Sequence, residues 1–285
     1  MSSQLPRVLT IAGSDSSGGA GIEADLKTFT VHGCYGMTCI TALTAQNTTG
    51  VKGIYPVTDQ EFIATTLRAV FDDIGVDAVK TGMLACADTV RTVARCLREY
   101  DAKNICVDPV MISTSGSQLL PEDAIDVYLS DLISIAFILT PNIGEAKFIV
   151  SKSTGADMNI SSLEDAKNLA VELHRLGPKY VLVKGGHLPL SKDGLAVTSD
   201  TEDAVVADIL YDGEDFVIIT SPHIITENTH GTGCTLASSI ASNLAKNEEP
   251  LLAVKHAIEF VHGAILSDLR LGAGNGPLNH LYRML

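Results

Sequence analysis

Short β-branched runs alternate with amphipathic stretches from Val8 to Val183, and that rhythm leaves few folds open. A strand buried on both faces reads as a continuous apolar run. A helix laid against it repeats its apolar residues every three or four positions. Val8-Leu9-Thr10-Ile11 predicts a strand ending at Ala12-Gly13-Ser14-Asp15, followed by a helix over 22–32 with Ile22, Leu26 and Phe29 on one face. Another strand lies within 35–45. The clearest helix spans 59–74, where Phe62, Thr66, Val70 and Ile74 recur at i+4 beside Ile63, Leu67 and Phe71. Val76 to Lys80, Ile105 to Val107, Ile135 to Leu139 and Tyr180 to Val183 predict further strands, with helices over 87–100 and 122–133. Ser161-Ser162-Leu163-Glu164 has the form of a capping box opening a helix that runs to Leu176.

After Val183 the rhythm changes. Residues 195–198, 205–211 and 216–220 are strand-like with short connections, which predicts antiparallel pairing, and helices over 233–246 and 250–270 follow. Repeated strand–helix–strand units predict a central, mostly parallel sheet covered on both faces, an α/β/α sandwich. No linker, repeat or low-complexity tract interrupts the 285 residues, so one domain over 1–285 is expected.

Right-handed crossovers bring the carboxyl ends of the parallel strands to one edge, where α/β sheets bind their ligands. The residues just past those ends are Gly13-Ser14-Asp15, Gln46-Asn47, Lys80-Thr81-Gly82-Met83, Asp108-Pro109-Val110, Asn142 and Lys184-Gly185-Gly186. Loops are polar anyway, which accounts for any one junction but less well for all of them on one edge. Near the end of the chain, Asn228-Thr229-His230-Gly231-Thr232-Gly233-Cys234 runs straight into a helix. Glycines before a helix N-terminus make an anion site, and a thiol there is expected to have a lowered pKa. The alternative is a turn with a threonine cap and an inert cysteine.

Phosphoryl transfer fits this set: a base for the incoming hydroxyl, charge neutralisation and in-line placement. Lys184 can reach phosphates. Asp108 and Glu145, with Asn142, can hold Mg²⁺ directly or through water. The Gly231–Cys234 turn supplies amides, and Cys234 a base. Each has a structural alternative: Asp108 before Pro109 as a turn former, Glu145 as a first-turn acid of a helix, Lys184 as a solvated lysine. Gly19-Ala20-Gly21-Ile22-Glu23-Ala24 matches a dinucleotide fingerprint, yet no Asp or Glu lies between Asp25 and Asp59 to hold a ribose, which discounts NAD.

A net charge of −14 with no Lys/Arg cluster argues against nucleic acid and anionic membrane as partners. Six scattered cysteines without a C-x-x-C pair predict a reducing compartment and a cytosolic location.

Taken together, Ala12 to Gly21, Ala24 to Thr28, Ile40 to Thr48, Lys80 to Leu84, Asp108 to Met111, Thr140 to Asn142, Lys184 to His187, Asn228 to Thr235 and Gly274 to His280 resemble the hydroxymethylpyrimidine/phosphomethylpyrimidine kinases of the ribokinase-like superfamily. The resemblance implies two ATP-dependent phosphorylations of 4-amino-5-hydroxymethyl-2-methylpyrimidine in thiamin biosynthesis, and a homodimer. It implies a pyrimidine pocket lined by Gly13, Ala20, Asp25, Gln46, Met83 and Val110. Asp108 and Glu145 would sit at Mg²⁺, Asn142, Lys184 and Thr232 at ATP, and Gly231, Thr232, Gly233 and Cys234 at the anion hole, with Cys234 as base. Related pyridoxal kinases tend to carry an apolar residue where Gln46 stands. A pyridoxal/pyridoxine kinase and a non-catalytic pyrimidine-binding homologue are the rival readings. Three positions depart from the family pattern: Ser17 for glycine, Glu23 for glutamine and Gly144 for proline. Ser17 bears on the geometry of the first loop.

Overall fold

A computed structural model describes residues 5–111, 121, 124–186, 188–198, 203–267 and 269–284. Nine strands form one sheet: β1 (Arg7–Asp15), β2 (Tyr35–Asn47), β3 (Gly50–Pro56), β4 (Ala78–Thr81), β5 (Ile105–Val107), β6 (Ile138–Leu139), β7 (Tyr180–Val183), β8 (Val205–Tyr211) and β9 (Phe216–Pro222). Their spatial order is β3-β2-β1-β4-β5-β6-β7-β8-β9. The six strands from β2 to β7 in that order run parallel, while β3 at one edge and β8 and β9 at the other are antiparallel.

Among the described residues eight helices flank the sheet: α1 (Gly21–Val31), α2 (Gln60–Asp73), α3 (Ala87–Glu99), α4 (Ile125–Val127), α5 (Ile143–Thr154), α6 (Leu163–His174), α7 (Thr232–Ala245) and α8 (Pro250–Leu266). Two cores result, one on each face. Leu9, Ile11, Val79 and Val107 point one way into α2, α3, α5 and α6. Val8, Ala78, Cys106 and Leu182 point the other way into α7 and α8. The period-2 alternation within single strands sorts these residues, so β1 and β4 are buried on both faces.

Several expectations need correction. The helix expected over 122–133 begins outside the described residues; within the described part it is a single α-turn at Ile125–Val127 followed by a π-turn at Tyr128–Leu132 and a 3₁₀ turn at Ile133–Ile135. Residues 195–198 form no strand, only isolated bridges from Leu195 to Ser162 and from Ala196 to Leu190. The α6 cap sits one residue later than expected: Ser162 Oγ accepts from Asp165 N at 3.1 Å, and Glu164 plays no part in it. Helix α8 ends at Leu266 rather than 270, and β3 and α5 were not anticipated.

Residues 272–280 return to the carboxyl edge. Gly276 O accepts from His230 N at 3.1 Å, and Gly276 N donates to Glu227 O at 3.0 Å. Thr48 Oγ1 accepts from Ala273 N at 3.2 Å and Gly274 N at 3.3 Å. The tail thus ties the end of β2 to the loop before α7.

Candidate active site

The loop after β1 is organised by one carboxylate. Asp15 is 2 % exposed. Its Oδ1 accepts from Ser17 N (2.9 Å) and Ser17 Oγ (2.8 Å); its Oδ2 accepts from Gly19 N (3.1 Å) and Ala20 N (2.8 Å) and lies 2.8 Å from His230 Nε2. Burial alone would raise its pKa, but His230 and these donors hold it well below the usual carboxylate range. Ser17, the departure that bore on this loop, therefore adds a bond to it. Glu23 is likewise employed, accepting from Ser14 Oγ at 2.6 Å and Asp15 N at 2.7 Å.

The first loop and the α7 turn touch through glycine. Gly231 has φ +85, and a Cβ there would stand 1.9 Å from Gly19 O. A Cβ at Gly19 would stand 2.3 Å from His230 Cδ2. No side chain caps α7, because Gly231 is its N-cap. The amides of the first turn have no intrahelical partners, and Thr232 N instead donates to Thr229 O at 3.3 Å. Thr232 Oγ1 turns back to donate to Thr229 O at 3.1 Å.

Behind this turn lie the charged groups. A Cβ on Gly233 would be 3.3 Å from Lys184 Nζ and 3.5 Å from Asp108 Oδ2. Lys184 Nζ donates to Asp108 Oδ1 at 2.9 Å, with Asp108 1 % exposed. Burial disfavours the ammonium, but Asp108 and Glu145 outweigh it and raise the lysine pKa, so the charge is kept. Backbone placement is exact to the strand: Lys184 N donates to Pro141 O at 2.8 Å, and Lys184 bridges Asn142 in parallel register.

Asn142 and Glu145 close a reciprocal cap on α5. Asn142 Oδ1 accepts from Glu145 N at 2.9 Å, and Glu145 Oε2 accepts from Asn142 N at 2.8 Å. The first-turn reading of Glu145 is thus realised, without removing it from the site. Burial pushes its carboxyl up to about 7; Lys184 pulls down and Asp108 pushes up. Glu145, buried and pushed up in part by the charge of Asp108, suits the neighbourhood of a divalent cation. Among the described residues no group of three His, Cys, Asp or Glu side chains forms a cage, so the fit is to an ion that keeps waters and phosphate oxygens.

Two expectations fail. Asp25 does not offer its carboxylate to a pocket. It is fully buried, 2.9 Å from Lys80 Nζ through both oxygens, and accepts from Thr10 Oγ1 and Ser238 Oγ at 2.6 Å each. Nor is the Cys234 thiol acidified. Burial pushes it up to about 11; Lys80 and the Gly21 amide favour the thiolate, but Asp25 and Asp108 oppose it. A helix N-terminus lowers a thiol pKa only where neighbouring carboxylates do not cancel it.

Of the other residues expected to line a pocket, Gly13 meets Met83 and Ala20 meets Gly231. A Cβ on Gly13 would lie 3.2 Å from Met83 Sδ, and Ala20 Cα is 3.3 Å from the position of a Gly231 Cβ. Val110 follows Asp108 in a tight turn, Val110 N donating to Asp108 O at 2.8 Å. Gln46, half-buried at the end of β2, lies 3.3 Å from His230 Nε2 through its Nε2. Asp208 was not singled out from sequence. It is buried on β8 and accepts from Gly185 N at 2.8 Å, which fixes the turn after Lys184; burial pushes its carboxyl up to about 6. A charge inside the apolar run Val205–Tyr211 was the available signal.

A mostly parallel sheet whose carboxyl edge gathers a buried acid–lysine pair, a glycine turn and a polar pocket is the layout of a ribokinase-like kinase. The phosphomethylpyrimidine kinase family model matches residues 15–279. The chain is 44% identical over 274 residues to hydroxymethylpyrimidine/phosphomethylpyrimidine kinase of Bacillus subtilis, covering 96% of this chain and 94% of that one. It is 47% identical over 274 residues to thiamine biosynthesis bifunctional protein ThiED of Geobacter sulfurreducens, covering 96% of this chain and 52% of that one, about half its length. An ADP complex of Bacillus subtilis pyridoxal kinase superposes with a TM-score of 0.84 at 35% identity, over 99% of each chain. The chain belongs to the phosphomethylpyrimidine kinase family.

Proposed function

We propose that this chain transfers the γ-phosphoryl group of ATP to the hydroxymethyl group of 4-amino-5-hydroxymethyl-2-methylpyrimidine, and then phosphorylates the monophosphate to the pyrophosphate, for thiamin biosynthesis. The observation that carries the reading is the cluster of Gly233, Lys184 and Asp108 within 3.5 Å of one point beside the Gly231 turn. There a transferring phosphoryl group meets a cation and oriented amides together. Relatives named for both reactions support the substrate, and an ADP complex among similar structures supports ATP.

In this reading Lys184 neutralises the phosphates and stays charged because Asp108 and Glu145 hold its proton. The amides at the start of α7 stabilise charge on the transferring group. Asp108 and Glu145, with Asn142 beside them, would hold Mg²⁺ through water. The ion would neutralise the phosphate oxygens. Cys234 takes the hydroxyl proton in the first transfer. With its thiol held near 11, it must first lose its own proton to solvent and acts as the minor thiolate form, taking the hydroxyl proton late, as the loose phosphoryl transition state permits. In the second transfer the nucleophile is a phosphate oxygen, which needs little or no deprotonation.

Gln46 favours a pyrimidine over pyridoxal, since its amide can pair with a ring nitrogen and an exocyclic amine. The similarity to pyridoxal kinase gives the rival reading its weight. We take the 285 residues as one kinase domain, cytosolic and paired into a homodimer. Exposed apolar side chains on β2 and β3 (Tyr35, Ile40, Leu43, Ile54 and Tyr55) favour self-association. Among the described residues no helix is long and apolar enough to cross a membrane.

The test is ATP consumption by purified protein with the pyrimidine alcohol and pyridoxal side by side. A strong preference for the pyrimidine is expected. A preference for pyridoxal, or no turnover with either, overturns the reading.

A further inference from the structure

Three polar groups from distant parts of the chain meet at the pocket: Asp15, His230 and Gln46. Their donors and acceptors can be counted. His230 Nε2 lies 2.8 Å from Asp15 Oδ2, an oxygen that already accepts from Gly19 N and Ala20 N. A carboxylate oxygen only accepts, so His230 Nε2 carries the proton and points it at Asp15. His230 is 6 % exposed, with its backbone amide on Gly276 O and its ring against Gly19. It has no room to turn over.

That proton has a consequence for Gln46. With its amide nitrogen 3.3 Å from His230 Nε2, two donors face each other. On its other side, the amide oxygen lies 3.2 Å from Thr44 Oγ1. Thr44 has one hydroxyl proton, and Ser14 O takes it at 2.8 Å. An acceptor therefore faces an acceptor. Amide oxygen and nitrogen are told apart by their partners, and half a turn of the amide resolves both conflicts. Oε1 then shares the single Nε2–H that Asp15 Oδ2 accepts, as the longer arm of a bifurcated bond, and Nε2 donates to Thr44 Oγ1.

We propose that Asp15 and His230 are positioning residues that set the polarity of the Gln46 amide, and through it the donor–acceptor pattern the pocket accepts. This rests on the aminopyrimidine reading above. Gln46 then presents an acceptor on the His230 side and a donor on the Thr44 side. An aminopyrimidine matches when its exocyclic amine lies toward His230 and its ring nitrogen toward Thr44. The hydroxymethyl carbon neighbours the amine-bearing carbon, on the side away from that ring nitrogen. This orientation therefore turns the reacting hydroxyl toward Gly231–Cys234, the turn that His230 itself begins. The 4-oxo analogue, with a carbonyl in place of the amine and a proton on the ring nitrogen, presents the reverse pattern and meets like against like.

The test is the ratio of dissociation constants for the 4-amino pyrimidine and its 4-oxo analogue, measured by calorimetry on wild type and His230→Leu. Leucine neither donates nor accepts, so the amide is freed to turn. The preference for the amino ligand should fall at least about tenfold, the worth of one buried polar group left unpaired. In a Gln46→Met background, His230→Leu should leave the ratio unchanged. Equal loss of both ligands on His230→Leu would reduce His230 to packing and overturn the proposal. Should that variant fail to fold, ¹⁵N-histidine spectra of wild type decide: the ring in contact with Gly19 must show a protonated Nε2, and an unprotonated Nε2 overturns it. Wild type binding neither pyrimidine would instead sink the substrate reading.

Discussion

Lys80 and Asp25 form a fully buried ion pair under the α7 turn, both side chains at 0 % exposure. Lys80→Met keeps the length of the side chain and removes its charge. What remains is a carboxylate with two hydroxyl donors, Thr10 Oγ1 and Ser238 Oγ, and no cation. Breaking one partner of a buried pair costs about 3–5 kcal/mol, because the other charge stays uncompensated. At roughly 2 °C per kcal/mol for a protein of this size, the melting temperature should fall by about 6–10 °C. Lys80→Met/Asp25→Leu removes both charges and should recover much of that loss, since a well-packed apolar replacement of a buried pair is often neutral. Calorimetry on wild type, both singles and the double variant closes the cycle. Ser238 lies one turn beyond Cys234, so Lys80→Met should also lower kcat while sparing pyrimidine affinity. A drop below about 2 °C, or a double variant as unstable as the sum of the singles, would refute the account of the pair as a mutually dependent unit.

Other expectations are equally direct. Cys234→Ala should cut the first phosphorylation by about 10²-fold or more and the second far less, read by separating mono- and diphosphate products; equal losses would remove the base assignment. Gly231→Ala places a methyl 1.9 Å from Gly19 O at φ +85 and should abolish turnover or folding, scored by activity per soluble protein. Burial, with a smaller push from Lys27, lowers His280 to about 4. Between the ordinary value near 6.5 and 4 the unfolded chain gains a proton that the native state refuses, so stability falls as pH falls through that window. His280→Gln keeps an acceptor for Thr235 Oγ1, 2.9 Å from His280 Nε2, and should flatten that limb of melting temperature against pH. An unchanged slope would put the acid sensitivity elsewhere, as at His32.

The parallel strands were legible because each is an apolar run closed by glycine or a polar residue. Strand β3 was not, because Gly50–Pro56 mixes glycine, lysine and exposed side chains with no alternation to betray it. Helix α5 was missed although Asn142-x-x-Glu145 carries a cap signature; weighing both residues as ligands hid their local use. Lys184, Asp108 and Gly233 were correctly drawn to one edge because topology alone brings strand ends together. Asp25 was not legible, since its burial depends on Lys80 and Ser238, 55 and 213 residues away. The same distance hid Asp15 and His230, whose pairing spans 215 residues. Local pattern cannot report on a partner that only the finished sheet supplies.

The tail that clasps Thr48 and His230 gives assembly of the site an order in time. Chains emerge from the ribosome amino end first, and all nine strands of the described residues end by Pro222. The sheet and the core under α2, α3, α5 and α6 can form while residues 272–280 are still being made, whereas the other core includes Leu278 and waits for them. Until Gly276 arrives, the Glu227 carbonyl lacks one of its two donors and the His230 amide lacks the acceptor that fixes the loop before α7. A nascent chain can therefore be folded and still catalytically idle, and the site is finished by the stretch that arrives after the scaffold it completes.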